Sequence, residues 1–319
     1  MTDMRRAIGI DQQTLDRAHE VVASHLPSTP LVRLRLLPHE RPIFAKLDTL
    51  QPTGAFKVRG ALAACAAYGS SGARIVTASA GNHGLGIAYA SARLGVSATV
   101  VVPETASPAK VAALRRYDID LRQIGADYDE AEAAAIEIAV GAGRFVSAYN
   151  DPHVIAGQAT VAAEVLAQAS EPATVVVPVG GGGLVSGVSV VLGGHEGWRV
   201  IGVEAARSRA LSAAVDAGQV VTVPVGETIA DGLAGNLEPT SITPDIVRAA
   251  GTPIVAAGET AIRAAVRELA MLAGLVVEGS AAVGLAALND GLIPGDGPIV
   301  LVLTGRNIAT PLLGEILSG

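Results

Sequence analysis

The stretch Thr174-Val-Val-Val-Pro-Val-Gly-Gly-Gly-Gly-Leu-Val-Ser-Gly-Val-Ser-Val-Val-Leu192 decides the fold. It opens on a β-branched run, turns through four consecutive glycines and continues as an apolar segment of helical length. A strand that is apolar throughout, with no polar alternation, belongs to a sheet covered on both faces. Thr174–Gly194 carries no charge and is long enough for a membrane span. Pro178 and the glycines break it, so it reads as strand, turn and helix instead.

Outward from this unit the pattern repeats. Strand Arg74–Ser79 leads through Gly81–Gly86 into an Ala-rich helix ending near Gly95. Strand Ser97–Pro103, helix Ser107–Arg116 with Pro108 in its first turn, strand Asp120–Ile124, helix Asp127–Val140 and strand Arg144–Tyr149 follow. Then come helix Val154–Ala169, strand Thr174–Val179, helix Leu184–Leu192 and strand Arg199–Glu204. Helices Glu259–Leu272 and Ser280–Leu288 precede strand Pro298–Leu303. Alternating strands and helices imply crossover units, so the expected fold is α/β with two doubly wound, parallel-rich sheets. Ligands belong at the carboxyl ends of the strands, where the glycine turns lie. The expected division is a large domain from residues 1–52 plus 146–319 and a small one from 53–145, with Lys57 near their junction.

Composition narrows the function. The 319 residues are 50% hydrophobic but 3% aromatic, so the core is built from Ala, Val, Leu and Ile. A net charge of −7 and the lack of any basic run exclude nucleic-acid binding by counterion release. Cys65 is the one cysteine, which rules out an internal disulfide and suits a reducing cytoplasm. It lies in the apolar run 61–67 and reads as a packing residue. Met1–His25 has no signal-peptide core.

Only three of the 23 Lys and Arg residues are lysine: Lys46, Lys57 and Lys110. Where charge suffices the chain uses arginine, so a lysine marks chemistry that arginine cannot do, such as a Schiff base. Lys57 sits in Gln51-Pro-Thr-Gly-Ala-Phe-Lys-Val-Arg-Gly60. A turn around Pro52 and Gly54 leads into a helix through 61–67. The helix start and the apolar Phe56 both disfavour the ammonium form.

Two glycine turns open helices. Ser79-Ala-Gly-Asn-His-Gly84 presents backbone N–H groups to an anion, or serves as a packed helix cap with His83 in the core. Gly180, Gly181, Gly182 and Gly183 leave donors free for a phosphate. Their spacing lacks the third glycine of the dinucleotide fingerprint, yet Glu204 ends the next strand where a ribose-binding acid would stand. A nicotinamide-dependent dehydrogenase is therefore the rival on this segment alone. Nucleotide-triphosphate, zinc-protease and serine-hydrolase motifs are absent.

Taken together, in this order, these segments resemble the serine/threonine dehydratase and serine racemase family, fold-type II pyridoxal-phosphate enzymes of the tryptophan synthase β-like fold. The likeness runs from Thr29-Pro-Leu-Val-Arg-Leu34, through Val154-Ile-Ala-Gly-Gln-Ala-Thr160, Ala230-Asp-Gly232 and Val277-Glu-Gly279, to Thr304-Gly-Arg-Asn307. The resemblance implies pyridoxal 5'-phosphate, held by Lys57 as a Schiff base, with Lys57 later taking the Cα proton. It implies that Phe56 packs beside the ring, Asn82 bonds its 3-hydroxyl oxygen and Gly180–Gly183 hold the phosphate. Thr304 faces the pyridine nitrogen, too weak an acid to protonate it, which favours prompt loss of a β-leaving group. Ser79, Asn82 and His83 receive the substrate carboxylate, largely through backbone donors. The implied reaction removes water from a small hydroxy amino acid, giving a 2-oxo acid and ammonia. A cytoplasmic homodimer is implied as well.

Departures from the pattern carry information. Ala80 replaces the serine that acts on the opposite face in racemases, so dehydratase is favoured over racemase. Ala55 stands where a serine is frequent. Arg306 replaces a glycine and keeps a hydroxyaspartate-like substrate open. Of the family's divalent-cation ligands Glu204 and the Ser208 carbonyl remain, but the aspartate position is Ala210, so no metal is expected. The chain ends soon after Thr304, leaving no room for an isoleucine-responsive effector domain.

Overall fold

The computed structural model describes residues 10–36 and 40–319. Residues 1–9, part of the stretch read as lacking a signal-peptide core, lie outside those described. The remainder of that stretch is helix α1 (Gln12–His25), opened by the Asp11 side chain accepting from the Thr14 amide.

Two sheets form the framework. The larger runs in the order β1 (Leu31–Leu34), β2 (Ile43–Leu47), β10 (Ile299–Leu303), β7 (Thr174–Pro178), β8 (Arg199–Ala205), β9 (Ile254–Ala257). Only the β1–β2 pair is antiparallel, with Leu31 opposite Lys46. The smaller sheet, β5 (Asp120–Gln123), β4 (Ala98–Val102), β3 (Arg74–Ala78), β6 (Gly143–Phe145), is parallel throughout.

Side chains alternate across each strand and feed two cores. Val175 and Val177 of β7 meet Val161 and Val165 of α6 (Pro152–Gln168) and Val185 of α7 (Gly183–Leu192). Val176 points to the other face, into Ile262 of α10 (Glu259–Ala273) and Leu285 of α11 (Gly279–Asn289). In the smaller sheet Ile75 and Val100 pack on Leu62 and Cys65 of α2 (Lys57–Gly69) and Ile87 of α3 (Asn82–Leu94). Val76 and Val101 face Ala131 and Ala135 of α5 (Tyr128–Ala142). The two-faced burial read from the apolar runs is thus present, and Cys65 is fully buried. No helix among the described residues is long and apolar enough to cross a membrane.

Two features differ from the sequence reading. Strands β1 and β2 precede the alternation that begins at Arg74, and both carry charged residues. The strand expected over Arg144–Tyr149 ends at Phe145. Beyond it the Ser147 hydroxyl accepts from the amides of Tyr149 and Asn150. That local turn competes with a sheet ladder and wins.

Strand order locates the site. In the larger sheet the chain winds β7, β8, β9 one way and returns with β10 on the other side of β7. In the smaller it winds β3, β4, β5 and returns with β6 beside β3. Each reversal is a switch point that leaves a crevice at the carboxyl ends. One crevice holds the turns after β7 and β10, the other the turn after β3.

Candidate functional site

Lys57 is the first residue of α2, and close backbone contacts set its position. A Cβ on Gly157 of α6 would stand 2.6 Å from the Cα of Gly60, and one on Gly86 of α3 would stand 3.2 Å from the Lys57 carbonyl. The side chain is partly buried, and its Nζ donates to the Ala148 carbonyl at 2.8 Å. Among the described residues it forms no ion pair. Burial lowers its pKa from 10.5 to about 8, with the nearby charge of Glu278 opposing the shift. Phe56 acts otherwise than expected: its ring lies 5.2 Å from Nζ, a distance that favours the charged form.

The turn before Lys57 is stitched to the end of β10. The Phe56 amide donates to the Thr304 carbonyl at 2.9 Å, and Ala55 bridges Gly305. Thr304 is 2% exposed. Asn307 donates to the Thr53 carbonyl at 2.9 Å and to the Asn82 side-chain oxygen at 2.7 Å. The Asn82 amide group in turn donates to both oxygens of Glu278, at 2.9 and 3.1 Å. Glu278 is buried, and that burial raises its pKa.

The Ser79 hydroxyl accepts from the Gly81 amide at 3.2 Å and so shapes the turn after β3. Asn82, His83 and Gly84 form the first turn of α3, where amides have no intrahelical acceptor. The His83 side chain is buried beneath the turn, and its Nδ1 has no partner among the described residues. It is 2% exposed, its Nε2 faces the Val146 carbonyl at 3.2 Å, and burial, reinforced by Lys57, drives its pKa to about 3. It is a neutral core imidazole, and only its amide faces the turn.

The glycine turn after β7 has no room for side chains. A Cβ on Gly181 would stand 2.3 Å from the Tyr149 ring, and Gly182 adopts φ +88° before Gly183 opens α7. No amide of Gly180–Gly183 donates to another described residue. Free donors, a cradle closed to any Cβ and an amine of lowered pKa suit a cofactor with a phosphate and an aldehyde.

Other sequence-marked residues resolve differently. Arg306 donates from Nη1 to the Thr49 carbonyl, and its amide donates to the Gly54 carbonyl at 2.9 Å. These two bonds brace the lysine turn and use one nitrogen of the guanidinium. Lys46 is fully buried in an ion pair, and Lys110 makes an exposed pair with Asp231 at 3.6 Å. Glu204 is 1% exposed, and one of its oxygens accepts from the amides of Leu211 and Ser212 at 2.9 and 3.2 Å. It caps helix α8 (Ala210–Ala217), whose own N-cap residue supplies no side-chain bond. The other Glu204 oxygen is buried without a partner among the described residues, and Ala210 offers no side-chain ligand beside it. Sequence reasoning gave no role to Glu278, Asn307, Tyr149 or Ala148. The first two stood inside quoted landmarks; Ala148 acts through its backbone and leaves no signature.

Comparison with known proteins agrees with this geometry. The family model described as pyridoxal-phosphate dependent enzyme matches residues 22–305. The chain is 40% identical over 281 residues to an L-threonine ammonia-lyase of Geobacter sulfurreducens, covering 86% of this chain and 70% of that one. It is 34% identical to the catabolic L-threonine dehydratase TdcB of Escherichia coli K12, covering 86% and 85%. Among solved structures, maize serine racemase superposes with a TM-score of 0.87 at 27% identity, covering 96% of each chain. A threonine deaminase from the organism abbreviated T.th. superposes with a TM-score of 0.83 at 33% identity, covering 93% and 98%. The lysine that heads α2, the glycine turn after β7 and these likenesses agree, and the chain belongs to the pyridoxal-phosphate dependent enzymes of fold-type II that include the serine/threonine dehydratases.

Proposed function

We propose that this chain is an ammonia-lyase that removes water from L-threonine or L-serine and releases a 2-oxo acid and ammonia. The observation that carries the reading is the Lys57 amine, with a pKa of about 8 and a single carbonyl partner, together with the unbonded amides of the Gly180–Gly183 turn. Pyridoxal 5'-phosphate, when bound, supplies the aldehyde that captures an amine and the conjugated ring that spreads carbanion charge. The residues proposed to hold it are Lys57, Phe56 and Asn82, the amides of Gly180, Gly181, Gly182 and Gly183, and Thr304. The amides of the Ser79–His83 turn would hold the substrate carboxylate, with Ser79 and Asn82 beside it. Lys57 in its neutral form takes the proton from Cα. Glu278 anchors Asn82 and keeps a negative charge near Lys57, so part of the amine is protonated near pH 8.

Ala80 carries no group able to return a proton to the opposite face of Cα, which supports elimination over racemisation. One Arg306 nitrogen is bound to the Thr49 carbonyl, which supports a bracing role over the binding of an acidic substrate. Glu204 is 1% exposed and one of its oxygens caps α8, so it does not stand open to a nicotinamide ribose. The reading extends to a cytoplasmic homodimer, with a small domain over 53–145 inserted into a large one from 1–52 plus 146–319. The test is 2-oxo acid release from L-threonine and L-serine by the holoenzyme, with Lys57→Ala as control. Release by wild type alone is expected; no release from either substrate overturns the reading.

A further inference from the structure

A carboxylate beside the lysine's carbonyl acceptor is marked by no motif. The segment Ala230–Glu238 passes over the glycine turn: the Leu233 Cα stands 2.9 Å from where a Cβ on Gly180 would lie. At its end Glu238 is held by the tetrapeptide Ser147–Asn150. The Ser147 hydroxyl donates to one carboxylate oxygen, and Asn150 Nδ2 donates to the other at 2.8 Å. The Glu238 amide donates to the Tyr149 hydroxyl at 2.7 Å. In the middle of the same tetrapeptide Ala148 accepts from Lys57 Nζ at 2.8 Å, and the Tyr149 ring packs where a Gly181 side chain would be. Glu238 is therefore fixed to the residues on both sides of the lysine's acceptor.

None of those partners is cationic, and among the described residues Glu238 forms no ion pair. Each oxygen has taken one donor and keeps a lone pair free. From α5 of the smaller sheet come Glu132 and Tyr128, bonded to each other at 2.8 Å. Burial raises the pKa of both, and the charge of Glu238 adds to each shift. Glu132 and Glu238 thus place two carboxylates on that side, close enough for one to feel the other's charge.

We infer that Glu238 sets the charge of the side chain the site accepts, admitting neutral or amine-bearing β-substituents and rejecting carboxylate-bearing ones. The inference rests on the lyase reading for where substrate lies. A second carboxylate brought to this side would meet like charge.

L-Asparagine and L-aspartate have the same shape and differ in charge. Their affinities for the holoenzyme can be read from the change in the cofactor's visible absorption, without turnover. Wild type is expected to bind L-asparagine about tenfold or more tightly than L-aspartate, and Glu238→Gln to shrink that ratio by about tenfold. Sodium chloride should narrow the wild-type ratio and leave that of Glu238→Gln unchanged. If Glu238→Gln fails to fold, Glu238→Asp and the wild-type salt series decide. Equal affinities in wild type, binding of neither ligand, or a ratio moved by neither salt nor substitution would overturn the inference. L-Threonine turnover in the same preparation keeps the two readings apart: its loss with an intact asparagine preference counts against the lyase assignment alone.

Discussion

Lys46 and Lys57 lie a short stretch of chain apart, and burial lowers the pKa of both, yet they become opposite kinds of amine. Lys46 has each N–H answered: Glu164 at 2.6 Å, the Thr29 carbonyl at 2.5 Å and Gln168 at 3.0 Å. Glu164 also grips Arg59 at 2.6 and 2.9 Å, and Asp48 closes the other edge of that guanidinium at 2.8 and 2.9 Å. Lys57 heads the same helix that carries Arg59 but has one neutral carbonyl. Its neighbouring carboxylate, Glu278, is turned to Asn82. Burial alone does not make a reactive lysine. Withholding a carboxylate contact does, and the ion cluster around Arg59 fixes the helix on which that exposed chemistry depends.

The largest effect expected from breaking this contrast is at Lys57. Lys57→Ala should lower 2-oxo acid release by more than about 10³-fold while the cofactor's visible band disappears. A residual rate within tenfold of wild type would put the two lysines on an equal footing. Next, Glu164→Ala strands the buried Lys46 and leaves Arg59 to pair with Asp48 alone, and should cost about 3–5 kcal/mol in urea unfolding. Lys46→Met leaves the Arg59–Glu164 pair intact and should cost less, about 1–3 kcal/mol. A reversed order would mean that Lys46 is the keystone.

Acid sharpens the same comparison. Arg59 and Lys46 hold the Glu164 carboxyl at about 2, below its ordinary 4.5. A depressed folded pKa means its contribution is present above pH 4.5 and is lost as pH falls through about 2. Unfolding measured against pH should show that loss in wild type and not in Glu164→Ala. On the Lys57 side, the rate of cofactor capture by apoprotein should rise with pH around a midpoint near 8. Glu278→Gln removes the charge that raises this pKa, so its midpoint should fall below 8; an upward shift would show that Glu278 does not act through charge. The smallest effect is at Arg306, where Arg306→Ala loses a bond to a backbone carbonyl and should cost about 0.5–1.5 kcal/mol, with the capture midpoint unmoved.

The sequence makes the β7–glycine–α7 unit legible because an apolar strand and successive glycines have few other uses. Lys57 is legible because lysine is scarce. Strands β1 and β2 are not, since Arg33 and Lys46 interrupt their apolar pattern and only the fold reveals that Lys46 is paired and buried. His83 has two readings in sequence, loop ligand or core imidazole, and burial selects the second for its side chain. Arg306 and Glu204 carry the right charge for a ligand, but their partners are backbone groups, which any sequence contains. Ala148 and Glu238 are invisible for another reason: their roles arise from the turn at Ser147, which replaces an expected strand.

The crossing of α2 and α6 makes the reactive amine sensitive to the bulk of residues that touch no substrate. A methyl group added at Gly157 enters within 2.6 Å of Gly60 Cα, and α2 must slide to admit it. Any shift of α2 moves Lys57, its first residue, relative to Ala148 while every group with chemistry keeps its identity. Inherited variation therefore meets a target wider than the reactive residues. A change from glycine to alanine, mild by any measure of polarity, reaches the setting of the reactive amine through the packing of two helices.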